Sequence, residues 1–540
     1  MTSTASQYVE AVVRRAREPM EPAHFEPDWA DQPRRYKVYP GAPEWPLPPG
    51  TDIEAGPLAA GLFPGVPGSP DGALPGQATA GPLALESLSA LLRQTFGLLT
   101  RRLRITGNTR IGDPTWYQDA AWSRGTASGG GLYPLEIYWV SGPSGPLLPG
   151  IYYYASARHA LRRLLAGDVT GQVHAALPGH PEVLATDQFL LVTVKFWKNS
   201  FKYNSFCYHV VTMDLGALLA SWQLWNAAAG LPGQPALWFD EEALNRLLNL
   251  DTTAESTMAV VPLPPGTKPP AAGPPHPAAV AVRHTERERS RVVLRFPQVE
   301  AVHAAAVAAS PLPPPAGTID DARAVPRPPG EAPGISLPAP RPAALTAGLS
   351  QALRQRRSSF GAFSGHPALG PADASTLLAA AAACGLRCDA GGAAVTRLAV
   401  FVNHVEGIAA GAYDYRPEQN QLTAIPGPPT GMFLQRHYFL DNYNLEQAAM
   451  VVAVIARPAA VISAVGDRGY RLVNAATGAI AQALYLAAAA CGVGCGAVLG
   501  FDNVAIAERL GFAATDERAL LLIMVGPERQ GAADFDFRLA

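Results

Sequence analysis

The chain has 540 residues, 48% apolar and 16% charged, enough to build a core and too long for one ordinary domain. Forty-two Lys and Arg against 44 Asp and Glu leave a net charge of −2, with no electrostatic footprint for nucleic acid. Five cysteines are too few for a disulfide scaffold.

Met1 to Arg17 is polar, with Val9, Val12 and Val13 in an amphipathic pattern and no apolar run of signal-peptide type. Residues 1–82 read as an N-terminal arm, rich in Pro and Gly from 40 onward. A globular stretch covers 83–263. Residues 264–343 form a Pro-rich linker, interrupted by RSRVVLRFPQV, which reads as one short strand with flanks. A second globular stretch covers 344–540. Within it, Leu472 to Phe501 carries no charge, but its Ala and Gly content predicts a closely packed core helix rather than a membrane span. Cys384 and Cys388, and Cys491 and Cys495, lie in similar Ala/Gly-rich runs and read, like Cys207, as buried thiols, so no metal is expected. The chain is expected to be cytoplasmic, with neither membrane nor nucleic acid as partner.

The two globular stretches echo each other. GIYYYASARHALRRLLAGD in the first answers GAYDYRPEQNQLTAIPG in the second. YHVVTMDLGALLASWQLWNAAAGL answers YRLVNAATGAIAQALYLAAAACGV, each with Tyr first and Gly eight residues later. FDEEALNRLLNL answers FDNVAIAERLGF, with Asp240 and Asp502 as helix N-caps. Both stretches end in an apolar strand, STMAVVPLP and ALLLIMVGP. This order predicts duplication of one α+β domain.

Four segments carry chemistry. Arg124-Gly-Thr-Ala-Ser128-Gly129-Gly130-Gly131-Leu-Tyr133-Pro134 precedes the strand LEIYWV. Its glycines permit positive φ and close approach to a planar ligand, and successive N–H groups there form an anion nest. Phe201-Lys202-Tyr203 offers two groups whose ordinary pKa values, about 10.4 and about 10, leave them protonated at neutral pH unless burial or each other shifts them. On a strand such neighbours diverge, so both reach one pocket only from a bent segment. Arg356-Arg357-Ser358-Ser359-Phe360 offers guanidinium forks suited to phosphate. Val498-Leu499-Gly500-Phe501-Asp502 puts a glycine before a capped helix. Taken singly, these also read as a tight turn, an amphipathic surface pair, a basic helix start and a strand-to-helix turn. His209 reads as a core or helix-start histidine, and Arg110 and Arg529 as surface charge.

Together these segments resemble the FMN-dependent nitroreductases, and more narrowly the SagB/McbC-type peptide azoline dehydrogenases, which oxidise thiazolines and oxazolines to azoles in ribosomally made peptides. The resemblance implies two tandem nitroreductase-like domains forming a pseudo-dimer within one chain. It implies FMN held by Arg124, Ser128, Gly129, Gly130, Arg356, Arg357, Ser358, Gly500 and Phe501, with Lys202 and Tyr203 as catalytic residues. A leader-bearing precursor peptide and a cyclodehydratase complex are the implied partners. Ala127 stands where the family has Pro, Phe360 where it has Arg, and Trp238 where it has Gly. The first half keeps the Ser-Gly-Gly turn and Lys-Tyr, while the second keeps Arg-Arg-Ser and Gly-Phe-Asp. One complete and one lapsed FMN site per chain are therefore expected. Another flavin oxidoreductase on this fold, or a non-catalytic peptide-binding subunit, are the alternatives.

Overall fold

Runs such as FLLVTV and MVVAVIA are apolar on both faces, as strands must be when covered on both sides. A computed structural model of the chain describes residues 3–49, 58–63, 82–106, 116–229, 233–266, 280–327, 334–345, 347–391, 395–529 and 536–539. Arg110 and Gly392, much of the arm and parts of the Pro-rich segment lie outside these residues.

The strands in chain order are β1 (Glu44–Pro46), β2 (Thr100–Thr106), β3 (Trp116–Ser123), β4 (Leu135–Ser141), β5 (Gly150–Ala155), β6 (Ala160–Ala166), β7 (Gln188–Lys195) and β8 (Glu255–Pro262). They continue as β9 (Ile335–Ser336), β10 (Thr396–Val402), β11 (Gly411–Arg416), β12 (Gln421–Ile425), β13 (Met450–Ala456), β14 (Gly494–Val498), β15 (Arg518–Gly526) and β16 (Asp536–Arg538). One sheet runs β1-β6-β5-β4-β7-β8 and the other β14-β15-β13-β10-β11-β12-β9; a small third sheet runs β16-β2-β3. The run β6-β5-β4-β7-β8 has the same antiparallel order as β12-β11-β10-β13-β15.

Between the sheets lie two long helices, Cys207–Ala229 and Gly469–Ala490, buried along most of their lengths. They cross at their glycines. A β-carbon on Gly216 would overlap the Ala475 carbonyl, and one on Gly478 would overlap that of Met213. Each glycine thus meets the residue three positions before the other glycine. Asn474 Nδ2 donates to Thr212 Oγ1 (2.9 Å) beside the crossing. The second helix is long and apolar enough to span a membrane, but its apolar surface is spent on this packing. Asp240 accepts from the Ala243 N–H, and Asp502 from those of Val504 and Ala505, so both cap the helices they precede.

Two expectations are corrected. RSRVVLRFPQV contains no strand: the N–H groups of Arg291 (2.8 Å) and Val292 (2.9 Å) turn to the Asp31 carboxylate, and Pro297 opens a helix, Pro297–Ala308. The Pro/Gly-rich part of the arm, read from 40 onward as turns and not a packed unit, supplies β1 as an edge strand beside β6, and ahead of it Thr4–Arg14 forms a packed helix. The helix buries Ala5, Tyr8, Val9, Val12 and Val13, the stripe its periodicity predicts.

Candidate functional site

The Gly-rich turn leads into β4. Gly130 and Gly131 have φ of +64° and +66°, left-handed values that suit glycine. The turn is wired to the first long helix through Asp214. Its carboxylate accepts from Ser128 Oγ (2.5 Å) and from the Gly129 N–H (2.7 Å), while Ser128 Oγ accepts from the Tyr133 N–H (2.9 Å). Burial pushes the Asp214 carboxyl up to about 7, although the Ser128 and Gly129 donors oppose the shift.

Lys202 and Tyr203 end a short helix, Trp197–Tyr203, and the chain then reverses at Asn204, whose φ is +42°. This is the bent segment that two adjacent side chains need to share one pocket. A β-carbon on Gly130 would stand 2.8 Å from the Tyr203 hydroxyl and 3.1 Å from Lys202 Nζ, so both side chains converge on the turn. Lys202 Nζ also lies 5.3 Å from the Tyr203 ring centre. Burial, with the Asp214 carboxylate adding to it, pushes the Tyr203 phenol well above its ordinary value.

The second half closes on the same turn. Arg356 crosses the seam: Nε donates to the Gly125 carbonyl (3.0 Å) and Nη2 to that of Arg124 (2.9 Å). Gln482, on the second long helix, donates to the Gly125 carbonyl (3.0 Å) and accepts from the Ala127 N–H (3.0 Å). Ser358 Oγ pairs with Tyr485 Oη (2.9 Å), which in turn accepts from the Ala497 N–H (3.0 Å). Arg357 is half exposed and pairs with Glu528 (2.7 Å). Arg124 sits between the Phe96 and Tyr133 rings, 4.4 Å from each centre, and donates to the Phe96 carbonyl (3.0 Å). Its guanidinium therefore holds the turn's flank, while Arg357 is the more open cation. Phe360, in place of Arg, packs on the Tyr443 ring (5.2 Å).

Tyr438, Phe439 and Leu440 line the Gly500–Phe501 turn. The Phe439 N–H donates to the Gly500 carbonyl (2.8 Å), and a β-carbon on Gly500 would meet Leu440 and Tyr438 only at 3.7 and 3.8 Å. Burial, and after it the nearby Tyr203, pushes the Tyr438 phenol above its ordinary value. The residues the sequence singled out in both halves thus gather along one seam.

Around Trp238, where the sequence departs from the expected glycine, the two halves also meet. The Leu237 N–H (2.9 Å) and the Trp238 N–H (2.7 Å) donate to the Asp389 carboxylate, and His180 Nε2 lies 3.0 Å from the Trp238 carbonyl. The Trp238 ring is buried there. His209, between the long helices, has Nδ1 at 2.6 Å from Tyr470 Oη.

Sequence reasoning missed Asp214, Gln482 and Tyr485, although a carboxylate and an amide inside apolar helices are the signal that could have found them. It also missed Tyr438, which carries no local signal. Among the described residues, no group of three or more His, Cys, Asp and Glu is arranged to share a metal ion.

Residues 353–527 match the model of the Nitroreductase family. Over 131 residues, 24% of its length, the chain is 32% identical to "Putative nitroreductase MJ1384" of Methanocaldococcus jannaschii and spans 64% of that protein. In structure it is similar to a "putative nitroreductase" from Anabaena variabilis, at 23% identity and TM-score 0.69, covering 98% of this chain and 100% of that one. The chain therefore has a mixed helix-and-sheet, nitroreductase-like fold over nearly its whole length. The E. coli microcin synthetase McbBCD complex with truncated pro-MccB17 bound matches at 18% identity over 35% of this chain and 67% of that one. Its TM-score of 0.27 bears on neither fold nor function.

Proposed function

We propose that this protein is an FMN-dependent dehydrogenase that oxidises thiazolines or oxazolines to azoles in a ribosomally made peptide. The observation that carries the reading is the convergence of Lys202 and Tyr203 on the glycine turn at Gly130. The supporting frame is the shared strand order of the two sheets and the reciprocal glycine crossing, which fit two duplicated domains acting as an intrachain pseudo-dimer. One working site, with the Trp238 side filled, follows from the same frame.

The residues fit FMN in kind. Gly131 and Gly500 leave open space of the sort a flat ring needs, and the arginines gathered at residues 356–357 suit a phosphate. The Gly129–Gly131 turn, Gly500 and Phe501 would face the ring and Arg357 the ribityl phosphate, while Arg356 and Ser358 hold the wall behind it through Gly125 and Tyr485. When bound, FMN supplies the two-electron acceptor.

Oxidising an azoline removes a hydride and a proton from adjacent ring atoms. Tyr203 keeps its phenolic proton at neutral pH, because burial and Asp214 hold its pKa up, so it serves as a donor that orients the ring. Lys202 Nζ takes the proton. Asp214 holds the turn through Ser128 and Gly129. The substrate would be a leader-bearing precursor peptide delivered by a cyclodehydratase complex in the cytoplasm, with molecular oxygen as the final oxidant.

The test is turnover of an azoline peptide by FMN-loaded protein. Lys202→Ala and Tyr203→Phe should each lose about 100-fold or more in kcat while retaining FMN. Full activity in both variants would overturn the assignment. A second reading, nitro-group reduction, is favoured by the family match over residues 353–527. It calls for reduced nicotinamide to bleach the flavin and for Lys202→Ala to have little effect.

A further inference from the structure

The N-terminal helix lies across the seam between the halves. Tyr8 Oη donates to the Ser205 carbonyl (2.6 Å) in the first half, and the Ala5 N–H donates to Asp467 Oδ1 (3.0 Å) in the second. The Tyr8 ring packs edge-on against Tyr208 (6.0 Å) and Tyr470 (5.9 Å), one from each long helix. Arg518 Nη2 donates to Glu10 Oε1 (2.8 Å) on the helix's outer side.

Arg15, just past the helix, carries this bridge into the candidate site. Its Nη1 donates to Asn503 Oδ1 (2.5 Å) and to the Val12 carbonyl (2.6 Å). Its Nη2 donates to the Leu499 carbonyl and lies 3.5 Å from that of Phe501. The guanidinium also covers the Phe206 ring at 4.5 Å and stands 5.9 Å from those of Phe439 and Phe501. Two of its bonds thus go to carbonyls of the turn that carries Gly500. Its closest aromatic contact, Phe206, lies three residues after Tyr203. A planar fork can serve several fixed acceptors and a ring face at once, which an ammonium cannot.

We propose that Arg15 is a positioning residue for the reaction: it fixes the Lys202–Tyr203 segment relative to the Gly500–Phe501 turn. The inference rests on the function proposed above. It also makes a statement about the two turns that can be read without turnover.

Full-length Arg15→Met and Arg15→Lys decide it. In flavin-free protein, Arg15→Met should lose amide-exchange protection at residues 204–206 and 499–503 while the cores of both sheets keep theirs. In FMN-loaded protein, kcat on an azoline peptide should fall about 100-fold with KM changed less than about threefold, as misplacement of a reacting group requires. The absorption bands of the bound flavin should shift. Arg15→Lys should remain impaired, because charge alone does not restore the fork. Should Arg15→Met fail to fold, the same measurements on Arg15→Lys decide alone. Unchanged exchange in both turns, or wild-type kcat in Arg15→Lys, overturns the inference. Wild-type protein that binds FMN but leaves azolines untouched overturns the proposed reaction instead, and the exchange data still judge Arg15.

Discussion

Gly130 and Tyr203 stand so close that a β-carbon on the glycine would lie 2.8 Å from the phenol oxygen. The pair joins a turn in left-handed backbone to the end of a helix 73 residues later. It explains why glycine suits position 130: a methyl group would strain the backbone at φ +64° and push against both Tyr203 and Lys202. Gly130→Ala should therefore cost about 1–2 kcal/mol of stability and weaken flavin retention at least tenfold. Urea unfolding and fluorescence titration with FMN check the two effects separately.

Asp214 makes a second prediction. Asp214→Ala removes the carboxylate that accepts from the Ser128 hydroxyl and the Gly129 N–H, both of which remain partly buried. The loss should be about 2–4 kcal/mol, and Asp214→Asn should recover part of it. Its carboxyl is pushed up to about 7 in the folded chain, against 3.8 as its ordinary value. Between those values the folded state holds the proton that the unfolded state has released. Its contribution is therefore full below about pH 4 and declines as pH rises through about 7. Asp214→Asn should remove that slope from the wild-type profile of stability against pH.

The buried histidines act in the opposite sense. Burial depresses His209 and His303 to about 3 and His159 to about 4, from an ordinary 6.5. Below pH 6.5 the unfolded chain takes up protons that the folded chain refuses, so stability falls with acid down to about pH 3. His303 packs on the Phe196 ring (5.0 Å) and has neither ring nitrogen bonded among the described residues. His303→Phe should be nearly neutral at pH 8 and clearly stabilising at pH 5, as thermal melts at the two pH values would show.

The crossing of the long helices gives the sharpest structural test. Gly216→Val or Gly478→Val drives a side chain into a backbone carbonyl, where no rotamer can relieve the overlap. Each should cost more than about 3 kcal/mol, or prevent folding, as judged by denaturant titration.

Much of this was legible beforehand. The repeated Tyr-to-Gly spacing located both long helices, and their glycines turn out to be where they cross. Asp240 and Asp502 gave away the helices they cap. The Gly-rich turn, Lys202-Tyr203 and Gly500-Phe501 were visible as strings because each is a local constraint on backbone or chemistry. What the sequence concealed is long-range. Nothing around Arg15 says that its guanidinium meets carbonyls almost 500 residues later, and nothing around Arg356 says that it bonds residues 124 and 125. The Val-Val-Leu run at 292–294 misled because its apolar pattern is that of a strand, while Asp31 had already claimed the neighbouring N–H groups.

The Asp389–Trp238 contact between the halves, set in the proposed pseudo-dimer, has a genetic consequence. In an assembly of two identical subunits, every codon is read into both sites, so no change can favour one without touching the other. Here the two crevices are written in separate stretches of a single message. Under the function proposed, Asp389 and Trp238 can change on one side without altering Gly130 and Lys202 on the other, and selection can act on each side alone.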